Sequence, residues 1–219
     1  MNRHRVAAVG LGAILVAYST TAGLAIPGRR HPVLQAALGS ALAASARAPL
    51  GLRPPALRSG LRWGGAAAAV VITGVAATTV LPQVRAAMAA RTLPQPGWKW
   101  LTVEIPLGTV WFEEAAYRAA LGTVAEAAFG ARYGRLLQAA AFGLSHIVDA
   151  RASGEPVLGT VLVTGAAGWV FGALRTGSGS ILAPVLAHLA VNEAGAVAAQ
   201  LVQRRRRAVM PDSRRVHRL

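Results

Sequence analysis

The chain has 219 residues, 54% of them hydrophobic, and a mean hydropathy of +0.45, too apolar for an ordinary soluble domain. Lys+Arg 23 against Asp+Glu 8 leaves a net charge of +15. Nearly all of it sits between apolar runs, as basic loops flanking membrane spans do, and not on the contiguous basic face that a nucleic-acid binder needs. With no cysteine, disulfides, thiolate metal sites and a cysteine nucleophile are excluded, so hydrolytic chemistry must use Ser, or water activated by Glu and His.

The first apolar run, Val6 to Ile26, follows Arg3 and Arg5 and matches the roughly 20 residues that cross a bilayer core. It exceeds a typical signal-peptide core and lacks a small-residue cleavage site, which favours a retained helix. Pro32 to Ala48 fits either a second span or an interfacial helix. Pro49, Pro54 and Pro55 then break the chain into a basic loop predicted to face the cytoplasm. Trp63 to Leu81 reads as a span ended by Pro82. A polar connection with Arg85 and Arg91 leads to Trp98-Lys99-Trp100, a membrane-boundary signature.

Leu101 to Phe129 is predicted as one long helix bent near Pro106. Leu136–Val148, Val157–Leu174 and Ile181–Val202 complete the set, with Gly177-Ser178-Gly179-Ser180 as a tight linker. The fold class expected is all-α, a polytopic transmembrane helix bundle of about 6–8 membrane helices. The expected organisation is N-terminal membrane helices and basic loops over 1–97, a core over 98–203 and a basic tail over 204–219. Seven spans would place Arg3/Arg5 and Arg204–Arg207 on opposite sides, although both ask for the cytoplasm; demoting the run at 32–48 to a re-entrant or surface helix restores agreement.

Three patterns put ionisable groups inside apolar helices: Glu113-Glu114-Ala115-Ala116-Tyr117-Arg118, Phe142-Gly143-Leu144-Ser145-His146, and His188-Leu189-Ala190-Val191-Asn192. Charge in hydrocarbon is costly, so such helices face one another across a polar cavity. Residues four apart share a helix face. Glu114 therefore pairs with Arg118 while Glu113, on the face of Tyr117, stays available. Phe142 walls the His146 imidazole, and His188 and Asn192 point in one direction. That inventory suits activation of water against an amide, with Glu113 as base, the histidines as metal ligands or polarising donors, and Asn192 as a donor to the oxyanion. Singly, each pattern is more often a solvated face or a satisfied core residue; their joint occurrence in spanning context removes the solvated-face explanation.

The ordered trio EExxxR, FxxxH and HxxxN resembles the signature of the CPBP family, the CAAX-protease and bacteriocin-processing (Abi) intramembrane endopeptidases. Leu50-Gly51-Leu52-Arg53 and the stretch from Gly179 to Asn192 are similar to that family too. The resemblance implies a glutamate-dependent peptidase in a helical core, with Glu113 as catalytic base, Glu114 and Arg118 as its supporting pair, and His146, His188 and Asn192 as the remaining site residues. It also implies either a zinc ion held by Glu113, His146 and His188 with water in the open position, or a metal-free mechanism. The partners expected are a membrane-embedded or lipidated peptide or protein and the bilayer, with no nucleic acid, and the location a cell membrane, specifically a bacterial plasma membrane.

Other protease classes fit less well. HExxH is absent, Asp149 and Asp212 are not paired within spans, and Ser178 lies too close to His188 for a serine–histidine pair on separate helices. The rival of another class is a non-proteolytic scaffold or bacteriocin-immunity-type protein on the same fold. A small transporter would show repeated halves, and none is visible.

Overall fold

The computed structural model describes residues 2–209; Asp212 and the end of the basic tail, 210–219, lie outside them. Every regular element among the described residues is helical. The chain begins with α1 (Arg3–Thr20), α2 (Pro32–Ser45), α3 (Ala56–Thr78) and α4 (Pro82–Ala90). Proline opens α2 and α4, where its missing N–H costs no hydrogen bond and its fixed φ suits the first turn.

The expected long helix is present. It starts as α5 (Gly97–Lys99), continues in wide i→i+5 turns over Trp100–Trp111, which contain Pro106, and over Glu114–Leu121, and runs into α6 (Gly122–Ser145). Backbone angles stay helical through Phe112, Glu113 and Leu121, so the charged motif lies on one uninterrupted rod. The rod ends at Gly130, whose φ of 79° and ψ of 167° fold the chain back on itself. The returning arm of this helical hairpin passes so close that a Cβ on Gly134 would meet the Ala125 and Glu126 backbone at 2.5–2.6 Å. The helices α7 (Ile147–Ser153), α8 (Val157–Ser178) and α9 (Leu182–Val209) follow. The α8–α9 linker is a left-handed cap at Gly179, and Ser178 Oγ is occupied there with the Leu174 carbonyl and the Ser180 N–H, as the linker reading expects.

Three helices, Ala56–Thr78, Val157–Ser178 and Leu182–Ala208, are long and apolar enough on their own to cross a membrane, fewer than the six to eight expected. The shortfall has a physical cause. α2 is apolar but has only 14 residues, and the rod carries Glu113, Glu114 and Arg118, which lower its hydropathy although Glu114 and Arg118 are buried inside the bundle.

Helix α2 is not a detached surface helix. Gly39 lies against the Phe112 backbone, Gly108 against Pro32, and Trp111 Nε1 donates to Ser40 Oγ at 2.9 Å, so α2 runs alongside the rod. Arg5 stacks over Phe129 at one end of the rod, while Gln200 abuts Gly97 at the other. Arg3/Arg5 and Arg204–Arg207 therefore lie at opposite ends of the bundle, and the agreement sought by demoting the run at 32–48 is not what the fold adopts. The basic loop before α3 also braces the α8–α9 corner. Leu50 accepts the Ile181 N–H at 2.9 Å, and Gly51, at φ 61°, leaves no room for a side chain against Gly179.

Candidate active site

The wide turns of the rod present both glutamates to α9. Glu114 is fully buried, and its Oε1 accepts from His188 Nδ1 at 2.7 Å while lying 3.3 Å from Arg118 Nη1. Consecutive carboxylates address the two sides of one imidazole, since Glu113 Oε2 lies 3.7 Å from His188 Nε2. That separation is too long for a hydrogen bond, and Glu113 Oε2 makes none to the protein.

Arg118 is held by more than its ion pair. Its guanidinium sits 3.8 Å over the Phe142 ring and 5.0 Å from Phe171, the arrangement in which an aromatic quadrupole offsets part of a buried cation's desolvation. Its N–H groups do not point at the Glu114 carboxylate well enough to count as hydrogen bonds, so the stabilisation is charge–charge and charge–ring. The Phe142 ring also stands edge-on to His146 (4.7 Å), Tyr117 (5.2 Å) and His188 (6.1 Å), and Phe171 stacks on His188 at 5.0 Å.

His146 closes α6 with its Nδ1 2.8 Å from the Phe142 carbonyl. Only a protonated Nδ1 makes that bond, so Nε2 is the ring atom left for chemistry. The same argument applies to His188, whose Nδ1 serves the Glu114 carboxylate. Glu113 and His146 line one cavity of about 200 Å³, together with Tyr117, Ser145 and Asp149, room for several waters.

The structure thus gathers Glu113, Glu114, Arg118 and His188 into one cluster and joins His146 to it through Phe142 and the cavity. Asn192 stands apart. Its Nδ2 donates to the His188 carbonyl one turn back at 3.2 Å, and it is not among the cavity's lining groups. Glu104, expected near the membrane surface, is exposed and pairs with Lys99 at 3.2 Å. The zinc set Glu113, His146 and His188 is a sound donor chemistry, but it does not fit as placed: among the described residues no three His, Cys, Asp or Glu side chains are grouped closely enough to hold a metal ion.

Sequence reasoning missed the opposite wall. Leu15, Tyr18 and Ser19 from α1, Arg29 from the following loop and Gln35 from α2 line the cavity. Arg29 is fixed over the Tyr18 ring at 3.8 Å and donates to Thr21 Oγ1 at 2.7 Å and the Tyr18 carbonyl at 3.0 Å. An arginine directly after an apolar run looks like an ordinary topology signal, and nothing in the local sequence separates it from one. Phe171 was invisible for a similar reason, as one aromatic in an apolar helix.

Residues 94–194 match the family model described as type II CAAX prenyl endopeptidase, Rce1-like. This stretch is similar to that CPBP-type family. It makes up a little under half of the chain and contains every residue of the EExxxR, FxxxH and HxxxN patterns. No curated protein and no solved structure matches. The Rce1-like stretch and the three apolar helices make this a membrane protein with a peptidase-family core.

Proposed function

We propose that the chain is an intramembrane endopeptidase that hydrolyses a peptide bond of a membrane-associated or lipidated peptide or protein, with Glu113 as general base. The observation that carries this reading is the different placing of adjacent carboxylates: Glu114 is fully buried against Arg118 and His188, whereas Glu113 lines the cavity of about 200 Å³ that it shares with His146.

Glu113 takes a proton from a water in the cavity as the water oxygen attacks the scissile carbonyl carbon. The carbonyl oxygen gains the electron pair and is met by the histidines in their imidazolium form, in which Nε2–H donates to it while Nδ1–H stays bonded to the Phe142 carbonyl or the Glu114 carboxylate. The C–N bond then breaks, and Glu113 returns the proton to the departing nitrogen. Glu114 and Arg118 hold His188 in register, and Asn192, through the His188 carbonyl, holds the turn that carries it. No step is routed through a metal.

The test uses the purified full chain in lipid nanodiscs with a library of lipidated and unmodified peptides, read by mass spectrometry. Cleavage by the wild type that disappears in Glu113→Gln supports the proposal. Equal cleavage by Glu113→Gln refutes it, and a Glu113→Ala variant that fully complements a deletion phenotype would instead favour a scaffold role.

A further inference from the structure

The parallel helices α3 and α9 meet tightly at one end and part at the other. Near their starts, Gly60 and Gly64 bring α3 so close that a Cβ would lie 2.7 Å from Ser180 and 2.9 Å from the Ala183 backbone. Toward their ends the helices enclose a groove of about 310 Å³ between Ile72, Val75 and Ala76 on α3 and Val197, Ala198 and Leu201 on α9. These positions recur every three to four residues and form a continuous apolar stripe on each helix. Ile72 and Leu201 are half exposed, so the stripe faces outward.

The groove has a charged end. Arg205, four residues beyond Leu201, and Arg85 of α4 both line it, and neither makes an ion pair among the described residues. Helix α4 is fastened across this end by Gln203 Nε2, which donates to the Met88 and Arg91 carbonyls at 3.0 and 2.8 Å. The depth of the charged end follows from its neighbours. Gln200 abuts Gly97, next to the exposed Trp98, and such tryptophans sit at the membrane–water boundary. Arg205 lies five residues further along α9, about 7–8 Å on, at the level of lipid headgroups.

We infer that this groove is a binding site for an anionic phospholipid, its acyl chain lying along the α3/α9 stripe and its phosphate between Arg85 and Arg205. An apolar slot open to hydrocarbon and closed at headgroup depth by two uncompensated guanidinium groups matches a lipid with a negative head. A zwitterionic lipid carries its own cation into the same place, and a soluble anion has no use for the slot. The site is separate from the Glu113 cavity, so it stands whether or not the chain cleaves peptides.

The test is retention of dioleoylphosphatidylglycerol by the detergent-purified full chain in native mass spectrometry, with dioleoylphosphatidylcholine and inorganic phosphate as separate arms. The expected result is retention of phosphatidylglycerol, little of phosphatidylcholine and none of phosphate. Arg85→Gln/Arg205→Gln should weaken phosphatidylglycerol retention roughly tenfold or more, while Arg53→Gln/Arg58→Gln, equal in charge change, should not. Ala198→Phe should lower retention by filling the slot, with an unchanged lipid-free unfolding midpoint showing that the bundle is intact. Equal retention of both lipids, full retention by Arg85→Gln/Arg205→Gln, or binding of phosphate alone as tightly as of the lipid would overturn the assignment. A dimer that excludes lipid from the groove would overturn it too.

Discussion

Two neighbouring glutamates should respond in opposite ways to the same substitution. Glu114→Gln keeps the side-chain volume but leaves the Arg118 guanidinium, fully enclosed among Glu114, Phe142 and Phe171, without its ion-pair partner. Breaking a buried pair by removing one partner costs about 3–5 kcal/mol. For a chain of this size that corresponds to a fall of roughly 6–20 °C in unfolding midpoint. Glu113→Gln removes a carboxylate that has no hydrogen bond through Oε2 and sits 3.7 Å from His188 Nε2, so its stability cost should stay below about 1 kcal/mol. Tryptophan fluorescence of the detergent-purified protein during heating measures both. The double variant Glu114→Gln/Arg118→Gln removes the orphaned charge as well and should regain part of the loss, a non-additivity that a double-mutant cycle reads directly. If Glu113→Gln lowers the midpoint as much as Glu114→Gln, the assignment of one structural and one working carboxylate is wrong.

Three further outcomes are expected. Phe171→Leu removes the ring stacked on His188 and should cost about 1 kcal/mol of positioning, seen as a roughly fivefold fall in peptide cleavage with KM little changed; an unaltered rate would show that the stack does not orient the imidazole. Gly51→Ala forces a side chain onto the Gly179 carbonyl at positive φ and should destabilise the bundle by about 3 kcal/mol, read as a lower unfolding midpoint, whereas Gly65→Ala, with open space around it, should leave the midpoint within about 0.5 kcal/mol of wild type or above it. Because the donors at the cavity are not grouped for a metal ion, cleavage in nanodiscs should survive prolonged chelation, and loss of cleavage that zinc restores would contradict that placement.

Much of the site could be read from residue spacing because lipid narrows the choices. A Glu-Glu-xxx-Arg run in water has many uses, but in an apolar helix its charges must find each other, and Glu114 and Arg118 do. Spacing also put Glu113 and Tyr117 on one face, and both line the cavity even though the turns there are wider than α-helical. It could not tell where an amide with two donors would turn, and Asn192 spends one of them on its own helix. Nor could it find partners supplied by the N-terminal half, since Tyr18 and Arg29 meet the site only through the antiparallel packing of α1 on the rod. The placement of 32–48 turned on the same kind of information: a 14-residue apolar run is ambiguous by length, and contacts such as Trp111 to Ser40 set it alongside the rod.

One aromatic ring ties the two imidazoles together. Phe142 borders His146, His188, Tyr117 and Arg118 at once, so a rotation of that ring cannot be felt at one histidine alone. Any slippage of α6 past α9, whether from a bulky ligand, a thinner bilayer or a nearby substitution, would disturb both imidazoles together and switch the pocket as a unit instead of detuning it by degrees.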